Sequence, residues 1–258
     1  MPIEGIDTEK CSLCQSCVRD CPTKNFNIDE TENQVNFTGK NCILCGHCIA
    51  VCPENAILYH EMQGNIIDFK EASNPPTYES LHQLLVSKRT IRQYENKKVP
   101  EEILQKILYS ISSAPTAMNA RILKCIIISN EQKIKEFTNA VIDTIESEAE
   151  REEYRKMLEQ GPNPFFYNAP HILLLHSKSS WGITDAPIAI TYGMLCAETL
   201  GLGSCWIGGI QRYLMEHKEI QKKVFGIEDD IHAIIILGYP AVEYFRNPPR
   251  SPMKTEII

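Results

Sequence analysis

From residue 81 onward the apolar side chains recur with the period of a helix. Leu81, Leu84 and Leu85 share a face with Lys88, and Ile103, Leu104, Ile107, Leu108 and Ile111 form a stripe after Pro100, a residue suited to a helix start. Short unbroken apolar runs then alternate with longer helical stretches. The runs at 125–128, 171–175 and 234–237 predict strands; the stretches at about 131–148, 185–200 and 213–225 predict helices. Few strands among more helix predict a layered α+β domain. The tail from Tyr239 to Met253 carries Pro240, Pro248, Pro249 and Pro252, too much proline for regular structure, and predicts an arm packed on another surface.

The first seventy residues are organised by a duplication. Cys11-x-x-Cys14-x-x-Cys17-x-x-x-Cys21-Pro22 recurs 31 residues later as Cys42-x-x-Cys45-x-x-Cys48-x-x-x-Cys52-Pro53, and Phe26 and Ile57 hold the same offset after each proline. A short unit repeated twice predicts two equivalent sites. Pro75-Pro76, within Glu71 to Tyr78, forbids helix and predicts an extended connector. The expected organisation is a small domain over 1–70, a linker over 71–78 and a second domain over 79–258.

Composition narrows the function classes. The chain has 258 residues, 43% hydrophobic and 23% charged, which is globular and large enough for two domains. Lys and Arg number 26 against 33 Asp and Glu, so no excess of positive charge invites nucleic acid or anionic lipid. Ten acidic and five basic residues fall in the first seventy. The longest run without Asp, Glu, Lys or Arg, Gln160 to Ser177, contains Pro162, Pro164 and Pro170, which argues against a spanning helix. The opening MPIEGIDTEK shows no apolar core behind a basic start. The expectation is a cytoplasmic protein without membrane or nucleic-acid partners.

Eleven cysteines are present, eight of them between Cys11 and Cys52. An odd count, regular spacing and no export signal disfavour disulfides and predict metal. Three cysteines at i, i+3 and i+6 let one loop wrap three corners of a cubane, and the fourth corner is supplied by the Cys-Pro of the other repeat. One cluster then takes Cys11, Cys14, Cys17 and Cys52, and the other Cys42, Cys45, Cys48 and Cys21. A pair of zinc sites is the alternative, but zinc favours two CxxC knuckles with a wider gap. Cys125 and Cys196 lie in apolar segments and are expected to be buried thiols. The segment resembles the two-[4Fe-4S] bacterial ferredoxins over about residues 5 to 70, with CILCGHCIAVCPENAI as its closest stretch. That resemblance implies low-potential one-electron transfer.

In the second domain, Lys88, Arg89, Thr90 and Arg92 place three cations and a hydroxyl within five residues, the kind of fork a phosphate needs, although a solvated basic helix end fits the same stretch. Ser113 to Arg121 follows a helix with small residues, so that backbone can approach a flat ligand. Gly201 to Ile210 reads as a helix end followed by a glycine-rich turn, without a dinucleotide fingerprint. KRTIRQY, SAPTAMNAR, GLGSCWIGG and GYP, in this order, resemble the FMN-dependent nitroreductase family over about residues 79 to 258. The resemblance implies an α+β fold with FMN at the interface of a homodimer. Lys88, Arg89, Thr90 and Arg92 would hold the phosphate, ribityl chain and pyrimidine edge. Arg250 would reach the phosphate from the tail. Pro115, Thr116 and Asn119 would contact the ring, partly from the partner subunit, and backbone donors around Ile207, Gly208 and Gly209 would address N5 and O4.

Two [4Fe-4S] clusters and FMN on one chain predict an oxidoreductase that reduces a small planar electrophile of the nitroaromatic or quinone type. NADH, NADPH or an external ferredoxin are the candidate donors. The alternative is an electron relay between ferredoxin-like partners without a dedicated substrate. An open cavity lined by Phe165 and Phe166 favours the enzyme; a covered flavin favours the relay.

Overall fold

In the second half of the chain antiparallel strands alternate their side chains between two apolar layers, with helices covering both. In the computed structural model, which describes residues 3–60, 69 and 75–257, the chain divides into two compact units. The first contains Met1–Pro75 together with Thr116–Ala120, and the second Pro76–Pro115 with Arg121–Ile258. Of the expected linker, residues 71–74 lie outside the described residues.

The first unit carries the duplication into its structure. Its order is β1 (Ile3–Ile6), α1 (Ser16–Asp20), β2 (Phe26–Asp29), β3 (Gln34–Phe37), α2 (His47–Val51) and β4 (Ile57–Tyr59). Strand β1 pairs antiparallel with β4, and β2 with β3. Phe26 and Ile57, at matching offsets in the two repeats, open β2 and β4 and are both buried, packed with Ile3, Val35, Cys17, Cys21 and Cys48. The core of this unit is therefore partly made of the cysteines themselves.

The second unit has the order α3 (Tyr78–Ser87), α4 (Glu101–Ser112), β5 (Lys124–Ile128), α5 (Glu131–Asp143), α6 (Glu148–Gln160), β6 (His171–Ser177), α7 (Gly182–Thr199), β7 (Gly203–Trp206), α8 (Gly208–Glu216), α9 (Lys218–Phe225) and β8 (Asp230–Gly238). The strands form one antiparallel sheet in the order β5-β6-β8-β7. Ile172, Leu174, Ile234 and Ile236 face a core that includes Phe137, Leu214 and Ile220 of α5, α8 and α9. Leu173, Leu175, Ile235 and Leu237 face the opposite core, with Ile107, Ile111 and Ile190 of α4 and α7. Helices on both faces explain why β6 and β8 read as unbroken apolar runs, since successive strand residues point to opposite sides.

Local chemistry sets the helix ends that periodicity missed. The helix expected through 148 stops at Asp143, where Thr144 caps it with Oγ1 on Val141 O, and Ser147 opens α6 by accepting from Glu150 N. The helix expected over 213–225 starts at Gly208 and breaks at His217, whose φ of −115° and ψ of 67° are not helical. Gly203–Trp206, read in the sequence as a turn, is an edge strand. Cys125 lies exposed on the other edge strand and Cys196 is half-buried, so neither is the core thiol expected. The tail beyond Pro240 forms no regular element, and no helix among the described residues is long and apolar enough to cross a membrane.

Candidate functional site

Two nests of thiols form in the first unit, each drawing its fourth sulfur from the other repeat. Cys11, Cys14, Cys17 and Cys52 line one small cavity with Ile6, Val35 and Ile57. Cys21, Cys42, Cys45 and Cys48 line a second with Ile3 and Phe26. The loops are shaped by left-handed residues at equivalent places: Leu13 and Gln15 in the first, Leu44 and Gly46 in the second. Behind each Cys-Pro a backbone N–H reaches the crossing sulfur, Asn25 N to Cys21 Sγ at 3.3 Å and Ala56 N to Cys52 Sγ at 3.2 Å. Such N–H donors stabilise sulfur that carries negative charge.

Burial pushes the Cys48 thiol up to about 11 and raises Cys17 as well, while the Ser16 hydroxyl and backbone hold Cys14 below its ordinary value. Buried thiols of this kind need cationic metal to ionise. The donor chemistry fits an iron–sulfur cluster better than zinc. Zinc favours two CxxC knuckles with a wider gap, whereas each nest here joins three thiols of one loop to a fourth from the other repeat. Four thiols set around a cavity match a cage with several metal corners.

In the second unit the basic segment after α3 lies along the edge of β7. Thr90 bridges Ser204 in parallel fashion and Ile91 N donates to Ser204 O at 3.1 Å. Lys88, half-buried, donates through Nζ to Arg89 O and Ser204 O at 3.1 and 3.5 Å, and burial lowers its pKa. Gly203 makes this docking feasible: a Cβ there would meet Ile91 Cγ1 at 2.5 Å. Ser204 Oγ is buried without a partner among the described residues.

Beside this segment opens a cavity of about 620 Å³, lined by Arg92, Cys205, Trp206, Ile207, Gly208 and Gly209, and on its other walls by Tyr154, Phe165, Tyr167 and Tyr213 with Glu146, Glu150 and His217. Its volume lies in the range of small-molecule sites. The first N–H groups of α8 have no partner inside their own helix and make this wall a donor surface. Arg92 stands 5.9 Å from the centre of the Tyr167 ring. Burial raises the Cys205 thiol, against the pull of the Arg92 and Lys88 charges. The Arg92 cation, the backbone donors and the flat rings fit the polar edge and ring system of a flavin mononucleotide, while Lys88, Arg89 and Thr90 lie outside this lining.

The structure thus brings Arg92, Ile207, Gly208 and Gly209 to one cavity and sets Lys88, Arg89 and Thr90 on the irregular segment that leads to Arg92. Arg250 lies in the exposed tail, and Pro115, Thr116 and Asn119 do not line the cavity. Asn119 Nδ2 instead donates to Ile43 O and Leu44 O in the first unit. Of the two phenylalanines expected around the opening, Phe165 lines it and Phe166 is fully buried. Tyr154, Tyr213, Glu146, Glu150 and His217 were not singled out by the sequence. The signal at hand was the aromatic triplet Phe165-Phe166-Tyr167 inside a charge-free, proline-rich stretch.

Comparison with known proteins agrees with this division. The nitroreductase family model matches residues 85–239, and a 4Fe-4S dicluster domain model matches residues 3–53. A putative NADH dehydrogenase/NAD(P)H nitroreductase of Methanothermobacter thermautotrophicus is 28% identical over 168 residues, covering 60% of this chain and 74% of that protein. An iodotyrosine deiodinase of Thermotoga neapolitana is 28% identical over 170 residues, covering 62% and 88%. An FMN-bound nitroreductase from Bacteroides fragilis shares the fold at a TM-score of 0.58 and 19% identity, over 69% of this chain and 98% of that one.

Proposed function

The chain belongs to the nitroreductase family, and from that premise we propose that it is an FMN- and iron–sulfur-dependent oxidoreductase that reduces a small planar electrophile of the nitroaromatic or quinone type. The observation that carries the reading is the pairing of two four-thiol nests with an aromatic-walled cavity edged by Arg92 and the α8 amides. When bound, the clusters supply single electrons and the flavin exchanges one or two, which matches a quinone that takes up two electrons and two protons.

The chain's own residues bind and orient. Cys11, Cys14, Cys17 and Cys52 would hold one cluster, and Cys42, Cys45, Cys48 and Cys21 the other. Lys88, Arg89 and Thr90 would bind the phosphate end of FMN with Arg250 from the tail, and Arg92 the pyrimidine edge. The amides of Gly208 and Gly209 would face N5 and O4, donors placed where negative charge develops, whereas the Ile207 amide expected beside them is already given to Ile234 O at 2.9 Å. Pro115, Thr116 and Asn119 do not line this cavity and would contact the ring partly from the partner subunit; Asn119 has its amide nitrogen engaged on Ile43 O and Leu44 O. Tyr154, Phe165, Tyr167 and Tyr213 would offer flat walls to a planar substrate.

A second copy of the chain completes the reading. Leu81 and Leu85 of α3 and Ile183, Ile188 and Tyr192 of α7 are all exposed, on two helices that touch each other. Apolar side chains grouped in this way favour a homodimer. The test is anaerobic turnover with NADH, NADPH or reduced ferredoxin as donor and a quinone or nitroaromatic as acceptor. Turnover with parallel-line, ping-pong kinetics is expected. Electron exchange among ferredoxins with no reduction of either acceptor would overturn the enzyme in favour of the relay.

A further inference from the structure

Among the described residues, the second cysteine loop carries a side-chain contact from outside its own repeat, and the first carries one from within it. Asn119 Nδ2 donates to Ile43 O at 3.0 Å and to Leu44 O at 2.8 Å, the two carbonyls between Cys42 and Cys45. Two acceptors facing one amide require its nitrogen, which has two hydrogens, so the orientation of the side chain is settled. Met118, Asn119 and Arg121 all hold left-handed backbone, at φ of 52°, 53° and 47°. Non-glycine residues enter that region seldom, and three within four positions mark a segment shaped by what it touches. Thr116–Ala120 accordingly groups with the first unit, although the chain on either side of it belongs to the second. In the first loop the side-chain donor is Arg19, from its own repeat, on Cys14 O at 3.0 Å.

We propose that Asn119 is a positioning residue for the cluster held by Cys42, Cys45, Cys48 and Cys21, and that it raises the reduction potential of that cluster. The inference rests on the cluster assignment made above. The peptide unit is rigid and planar, so fixing the carbonyls of Ile43 and Leu44 also fixes the N–H groups of Leu44 and Cys45, which point the opposite way. A hydrogen bond accepted by a carbonyl polarises its peptide and strengthens the N–H as a donor. Donors to cluster sulfur stabilise the reduced, more negative form and shift the potential upward. The two nests, built from one motif, are thereby made unequal by a residue some seventy positions away in sequence.

The test uses the anaerobic full-length protein with Asn119→Gly, which tolerates the left-handed backbone, and Asn119→Asp, which keeps the shape and removes both donors. Iron, sulfide and flavin content are measured first, then midpoint potentials by EPR-monitored titration and amide exchange by mass spectrometry. In both variants one midpoint potential moves to a more negative value while the other stays. Amides in 42–48 exchange faster, and those in 11–17 do not. Unchanged potentials in an Asn119→Gly protein with a full complement of iron and sulfide overturn the proposal. A wild-type protein without iron and sulfide overturns the cluster assignment beneath it, a distinguishable failure.

Discussion

The two thiol nests show what a duplicated loop must keep and what it can vary. Both loops place left-handed residues at the same two positions, lead into five-residue helices, and receive a backbone N–H on the crossing cysteine. One of those left-handed positions is Gln15 at φ 61° in the first loop and Gly46 at φ 76° in the second. The backbone conformation is common to both and the residue is not, so the geometry of the cage is the constraint. Each nest is also incomplete by itself, because its fourth sulfur comes from the other repeat. The repeats are equivalent and mutually dependent.

The strongest way to break that comparison is to cross it. Cys52→Ser is expected to empty the nest of Cys11, Cys14 and Cys17, lowering iron and sulfide per chain to about half. Adding Cys14→Ser then removes little more, whereas adding Cys45→Ser removes most of the rest. If Cys52→Ser and Cys45→Ser act as one, the ligands are not crossed.

A glycine needed for space contrasts with a glycine needed for backbone conformation. Gly203→Ala places a Cβ at 2.5 Å from Ile91 and leaves the thiol nests untouched. Overpacking of this kind costs about 1–3 kcal/mol, and release of the 88–92 segment from β7 would lose FMN while iron and sulfide stay constant. Flavin and metal analysis of the same sample checks this. Arg92→Ala, which removes one charged donor from the cavity without overpacking, is expected to weaken FMN binding by roughly 10- to 100-fold, the value of about 1.5–3 kcal/mol for a hydrogen bond to a charged group. Fluorescence titration with FMN measures it.

The smallest effect separates the two loops directly. Gly46→Ala forces an alanine into the left-handed region and costs about 1 kcal/mol. Gln15→Gly relieves a similar strain but gains freedom in the unfolded chain, so its net benefit is no more than roughly 0.5 kcal/mol. Chemical denaturation of the holo protein reads both. A loss of stability on Gln15→Gly would mean that Gln15 is held by contacts rather than merely tolerated.

Legibility in the sequence followed the distance over which each site is built. The cysteine nests are written in 42 consecutive residues with fixed spacing, and the crossing of ligands follows from the motif. The strands β6 and β8 were readable because both faces are buried and the runs are unbroken. The edge strand β7 was not, since Gly203 and Ser204 have the composition of a turn and become strand only through pairing with β8. Helix breaks at Thr144 and His217 depend on caps and single dihedrals, which periodicity averages away. The aromatic-walled cavity draws on segments from Arg92 to His217, so its wall emerged only from the fold. Asn119 was placed by resemblance against a ring, and its two hydrogen bonds to the cluster loop could come only from tertiary contact.

The claim that electrons pass between thiolate-held clusters and a flavin on the same chain is tested most directly by anaerobic photoreduction of the purified protein, followed by absorbance and EPR. The account predicts that cluster reduction is followed, within the time of a catalytic turnover, by bleaching of the oxidised flavin. Flavin that stays oxidised beside reduced clusters, or zinc in place of iron in the cysteine nests, would contradict it.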